Sequence, residues 1–231
     1  MDCPRTVSLA TLLFNSMLAR RPFFLIAVVF GASGMACNRT TGTSEEKSVA
    51  QIWEAYRSAV LKADGKTAVD CVSSNTIELY QEYRDLAVSG DKKSIESQSM
   101  VNRMQILLMR HRIDPKLLRA MDGAAVFAHA VDKNWIGKNG VIRAGLEDIS
   151  VSGSRATAKV TADGKSTGEH FHFVKEAESW KYDLGPTIKG ADQALQQLAR
   201  QKGLSDNEYI FSMISSLSGR KVTEAIWSPV E

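Results

Sequence analysis

The chain has 231 residues, 44% of them hydrophobic and 24% charged, with a net charge of +3. That length and balance suit one globular domain with a leader or tail, and they argue against a disordered or strongly basic protein. Residues 1–36 hold Arg5, Arg20, Arg21 and Asp2, so the remainder is close to charge-balanced. No Lys/Arg cluster is interleaved with aromatics, so no nucleic-acid partner is expected.

The first element is a leader. "PFFLIAVVFGASGMA", residues 22–36, carries no charge and follows Arg20 and Arg21. It is shorter than the roughly 20 apolar residues of a spanning helix. A positive start, an apolar middle and small residues at the end give the pattern of a secretory signal peptide over residues 1–36. Met17 stands where such a leader would begin, which makes it the expected true start. Its "GMAC" then resembles the lipobox of bacterial lipoproteins. That resemblance implies that Cys37 becomes the lipidated first residue of the mature chain, anchored to a bacterial membrane on its periplasmic or surface side. Gly34 and Met35 depart from the usual pattern. Gly34 and Ala36 also satisfy the small-x-small rule of ordinary secretory cleavage, so secretion without lipid is the alternative.

Three cysteines are present: Cys3, Cys37 and Cys71. With Cys3 removed and Cys37 lipidated, Cys71 stands alone, and its apolar neighbours at helical spacing mark it as a small core residue. A Cys37–Cys71 bridge is the alternative in an unlipidated chain.

Residues 37–44 read as a polar tether. Thr43 with Glu46 has capping-box spacing, so a helix opens there. Its apolar residues Val49, Ile52, Trp53, Tyr56, Val60 and Leu61 recur at three and four. "KADGK" ends it. A short helix is expected near Thr67–Val72. Another opens at Asn75 and Glu78 and carries Ile77, Tyr80, Tyr83 and Leu86. One longer helix is expected over 94–112, with Val101, Met104, Leu107, Leu108 and His111 on one side. Its methionines suit a pliable core better than a cofactor site. Asp114-Pro115 caps the next helix, which runs with a break at Gly123 to about Trp135.

The period then changes to two. "VIRAGLEDISV", "RATAKVTA", "EHFHFVKE" and "SWKYDL" read as four strands joined by hairpin-sized turns, an antiparallel meander. Alternation puts Ala156, Ala158 and Val160 on one face, Phe171 with Phe173, and Trp180 with Tyr182. After "GPTIKG" two more helices follow. Ser205 with Glu208 forms a capping box, and Trp227 is a candidate anchor for the tail. The order is helices, sheet, helices, an α+β fold.

The opening "IWEAYRSAVLKADGKTAVDCVS", the helices after it and the meander from "SGSRATAKV" to "SWKYDL" resemble the nuclear-transport-factor-2-like superfamily. The resemblance covers residues 45–188 and leaves 189–231 as a helical extension. It implies helices packed on a strongly bent sheet around a cone-shaped pocket. The superfamily holds both isomerase- or cyclase-type enzymes and binding or assembly modules. Trp53, Tyr56, Tyr80, Tyr83, Phe171, Phe173, Trp180 and Tyr182 are the candidates for core and pocket.

His170 and His172 point to the same side of a strand, the one spacing that resembles a metal site. With no third ligand marked, an outward polar face is the simpler reading, and no metal or cofactor is expected. His111, His129, Asp70, Asp85 and Asp183 are isolated titratable groups. Phosphate-binding glycine loops, nucleophile elbows and metalloprotease helices are missing from the sequence. The expected function is therefore a non-enzymatic cell-envelope lipoprotein that binds a small apolar ligand or an envelope protein. The alternative is an isomerase, cyclase or dehydratase using the cone pocket.

Overall fold

A computed structural model describes residues 42–136 and 138–230. The leader, Met17 and Cys37 lie outside the described residues.

Side-chain caps divide the first half of the chain. Helix α1 (Ser44–Lys62) opens with the expected box: Glu46 N–H donates to Thr43 Oγ1 at 3.2 Å and Thr43 N–H to Glu46 Oε2 at 2.9 Å. It ends where Ala63 turns left-handed at φ 56°. Helix α2 (Gly65–Cys71) starts at Asp64, and α3 (Ser74–Ser89) starts at Ser73 rather than at Asn75. The single helix expected over 94–112 is two. Asp91 caps α4 (Lys92–Glu96) and Ser99 caps α5 (Met100–Arg112). A serine that bonds a backbone amide three residues on offers the chain an alternative to continuous helix. Asp114 and Asp122 cap α6 (Pro115–Ala120) and α7 (Gly123–Asp132) in the same way.

Helix α8 (Lys138–Arg143) takes "VIR", which was expected to begin the first strand. The meander then follows: β1 (Ala144–Ser152), β2 (Arg155–Ala162), β3 (Lys165–Glu176) and β4 (Ser179–Asp183), antiparallel in chain order. Ala156 stands opposite Phe173, which stands opposite Tyr182, and Ala158 opposite Phe171. All five are buried. The small side chains of β2 leave room for the aromatic stripe of α1, which lies across this face. Trp53 meets Phe171 at 4.8 Å and Tyr182 at 5.5 Å between ring centroids, and Tyr56 meets Tyr182 at 5.1 Å. Such offset and edge contacts each add about 1 kcal/mol beyond burial. A parallel bridge, Val72 with Tyr182, ties the α2–α3 joint to the edge of β4.

The β3–β4 turn is costly. Ala177 and Glu178 both sit left-handed, at φ 43° and 65°, where an L side chain is unfavourable by about 1 kcal/mol or more. The double change Ala177→Asn with Glu178→Gly should stabilise the protein by about 1 kcal/mol, read from the denaturant midpoint. A lower midpoint would show that this turn is not as described.

The residues "GPTIKG", expected to be a link, form the first turns of α9 (Gly185–Gln201), with Pro186 in the position that needs no amide donor. Helix α10 (Asp206–Ser218) opens with the expected Ser205–Glu208 box, and a 3₁₀ turn covers Glu224–Trp227. Helix α5 is the hub of this second layer, touching α3, α9, α10 and the 3₁₀ turn, with Ile106 and Leu107 fully buried. Close approach fixes α7. A Cβ on Gly65 would lie 2.3 Å from the Ala128 carbonyl oxygen, and one on Gly123 would lie 2.5 Å from that of Ile77. The tail is pinned by Val230 N–H to Val88 O at 2.9 Å and by Trp227 against Phe211 at 5.6 Å. No helix among the described residues is long and apolar enough to cross a membrane.

Candidate functional site

Strand β4 pairs with β3 only as far as His172, so the first half of β3 has no strand on that side. Helix α9 leaves β4 there and packs against β3 and α5. The register of β2 and β3 shifts between Lys159 and Thr161, and Gly168 takes φ 77°, a conformation that glycine adopts freely. Gly168, Glu169, His170 and His172 border the space under α9, while Phe171 stays on the core face.

That space is a cavity of about 420 Å³. Tyr80 of α3, Met104 and Leu108 of α5, Trp135, and Ile188 and Ala191 of α9 give its apolar walls. Gln105, Glu169, His170, His172 and Thr187 supply the polar groups. At interior packing density it would accept a molecule of roughly 300 Å³. The volume lies within the range of small-molecule sites.

The polar groups differ in setting. Burial pushes the Tyr80 phenol up to about 12, so it stays protonated at neutral pH. Its hydroxyl has no hydrogen-bond partner among the described residues. Burial holds the His172 imidazolium below its ordinary value, against the opposing pull of Asp183, its neighbour across the β3–β4 pair. Asp183 Oδ1 accepts from Ser73 Oγ and from Gly185 N–H, both at 3.3 Å. Thr187 Oγ1 is 3.4 Å from the Tyr182 hydroxyl. Among the described residues no lining hydroxyl is hydrogen-bonded to a lining imidazole; the Thr187 hydroxyl faces that of Tyr182 instead. The arrangement can strip water from an apolar body and orient one polar group at the β3 rim.

The sequence candidates divide. Tyr80, His170 and His172 line the cavity. The histidines are thus more than the outward polar face that strand alternation suggested, because the bulge and the missing partner strand bring the β3 edge under α9. Trp53, Tyr56, Tyr83, Phe171, Phe173, Trp180 and Tyr182 are buried core outside the cavity lining. The Tyr83 hydroxyl donates to Asn102 Oδ1 at 2.7 Å. Cys71 is a free, buried thiol whose proton affinity is raised by burial. His111 Nε2 is 2.9 Å from Ser218 Oγ, and His129 stands edge-on to Trp135 at 5.2 Å. Asp85 is held low by its bonds to Arg84 and Gln81. No group of three or more His, Cys, Asp or Glu among the described residues could hold a metal ion.

Trp135, Gln105 and the first turns of α9 were not singled out by sequence. Trp135 carried a weak signal, a lone tryptophan just past a helix end in the polar "DKNWIGK".

Fold and cavity together define an α+β protein with a helix-covered, mainly apolar pocket at a sheet edge. Comparison with protein-family models, curated proteins and solved structures finds no match.

Proposed function

We propose that this chain is a non-enzymatic binding module of the cell envelope, tethered through lipidated Cys37, that takes a small, mainly apolar ligand in the cavity under α9. The observation that supports the ligand is the open volume of about 420 Å³ walled by Tyr80, Met104, Leu108, Trp135 and Ile188. A concave space of this size, walled mainly by apolar side chains with a few polar groups at one rim, has the usual make-up of a small-molecule site. The leader and its cysteine support the address. The element order and the Val72–Tyr182 bridge are in keeping with a nuclear-transport-factor-2-like domain, whose helices would roof a bent sheet.

Two experiments test the reading. Metabolic labelling with a fatty-acid analogue should mark the wild type and spare Cys37→Ser; equal labelling removes the lipid tether. Native mass spectrometry of protein purified from its own host should show a bound small molecule that heat or solvent extraction releases. Protein that is reproducibly free of ligand counts against the binding role.

A second reading, an isomerase, cyclase or dehydratase, is favoured by one observation: Tyr80, Glu169, His170, His172 and Thr187 share the cavity. Under that reading His172, neutral at pH 7, would act as the base. Its test is turnover of a ligand identified as above, abolished by His172→Gln with binding retained.

A further inference from the structure

On the other side of Trp135 lies a second concavity of about 370 Å³, where the C-terminal ends of α5, α7 and α10 meet. Arg112, Lys133 and Arg220 line it, with His129 and Asp114. The Arg112 guanidinium lies 4.8 Å over the Trp135 ring, which holds its plane in place. None of the three cations is ion-paired among the described residues.

The simplest account of these cations is helix capping. Helix C-termini attract positive charge, and Arg112 Nη2 donates to Leu217 O at 3.3 Å while Arg220 Nη2 donates to His111 O. Those bonds use one nitrogen of each guanidinium. The other guanidinium donors and the Lys133 ammonium have no partner among the described residues. Asp114, the one carboxylate in the lining, caps α6: its Oδ1 accepts from the amides of Lys116 and Leu117 at 3.0 and 3.2 Å, and it forms no ion pair with these cations among the described residues. The cations also act on one another. After burial, Arg220 is the next cause that depresses the proton affinity of both Arg112 and His111, and Lys133 is the next cause for His129. Three cations against the single carboxylate of Asp114 leave the cleft net positive, and a net-positive concave site raises the local concentration of anions.

We propose that this cleft binds a phosphate group, carried either by a free phosphate or by an anionic lipid headgroup. Two planar guanidinium forks and one mobile ammonium suit a tetrahedral oxyanion with several acceptor oxygens. The His129 imidazole stands edge-on to the Trp135 indole on the same wall, with ring centroids 5.2 Å apart. The proposal does not depend on a ligand in the cavity under α9.

The test is calorimetric titration of the full chain with inorganic phosphate, and flotation with phosphatidylcholine vesicles with and without phosphatidylglycerol. The variants are Lys133→Gln, which removes no described side-chain contact, and Arg220→Gln. Arg112 is left intact because it packs on Trp135. Each variant should weaken binding about tenfold, the loss of one charge-assisted hydrogen bond. Thermal melts would confirm that both variants fold. Phosphate binding that falls in both supports a free phosphate. Binding only to phosphatidylglycerol vesicles, and weakened in both, supports a headgroup. No binding to either probe, or affinity unchanged in folded Lys133→Gln, overturns the proposal.

Discussion

Replacing Arg110 with methionine should cost the fold at least about 3 kcal/mol. The guanidinium is a half-buried donor to five backbone carbonyls and has no carboxylate partner among the described residues. Nε donates to Ala87 O at 2.7 Å, and Nη2 to Leu86 O and Gly90 O at 3.0 and 2.5 Å. Nη1 donates to Ile226 O and Trp227 O at 3.2 and 2.9 Å. The first three acceptors close the end of α3 and the last two hold the tail, so one side chain joins α5 to both. Burial lowers its proton affinity, and the five oxygens offset that desolvation. Methionine keeps much of the aliphatic length but leaves the carbonyls unpaired. Lysine should recover only part of the loss, because one ammonium cannot reach the acceptors of a planar fork. Urea denaturation of wild type, Arg110→Lys and Arg110→Met should rank them in that order. A cost below about 1 kcal/mol for methionine would mean that the carbonyls are satisfied by water instead.

Trp53→Ala should be as damaging or worse, at about 3–5 kcal/mol, because it empties the contact between α1 and the sheet. Trp53 is 2% exposed and touches Tyr56, Phe171 and Tyr182. Its Nε1–H is buried and has no acceptor among the described residues. Trp53→Phe removes that donor and keeps a ring, so it should cost less than about 1.5 kcal/mol. A tryptophan retained for a hydrogen bond would give the opposite pattern, with phenylalanine nearly as harmful as alanine. The denaturant midpoint distinguishes the two, provided the slope is unchanged.

Local chemistry was the legible part of this molecule. Both capping boxes, the Asp114-Pro115 start and the alternation of the strands depend on residues within a few positions of one another, and each element stands where that chemistry puts it. Ala156, Ala158 and Val160 share the buried face for the same reason. The structure departs from the sequence expectation where two local signals compete. Ser99 lies inside an apolar helical pattern yet caps a new helix. "VIR" is β-prone by composition, but Val141 is buried in a helix whose carbonyl oxygens at Val141 and Ile142 take the Arg57 side chain. "GPTIKG" has the composition of a link, while proline at a first helical position is a start signal.

The cavity was less legible because a pocket wall and a core share the same composition. Tyr80 and Tyr83 lie one turn apart on α3 with ring centroids at 5.6 Å, and only Tyr80 reaches the open space. The difference is made by α9, more than 100 residues further on, and by a bulge at Gly168 that no pattern of alternating residues announces. The spacing of His170 and His172 is visible in sequence, but their place under α9 follows from where β4 stops.

The central claim is that the space under α9 takes an apolar ligand, and a blocked cavity tests it most directly. N-phenyl-1-naphthylamine, a neutral probe that brightens in apolar surroundings, should bind the wild type saturably and quench Trp135, which lines the cavity. Ala191→Phe places a ring in the same space and should weaken binding at least about tenfold, a loss of about 1.4 kcal/mol, while its thermal melt stays cooperative. Binding of equal strength in a folded Ala191→Phe variant, or no saturable binding by the wild type, would contradict the account.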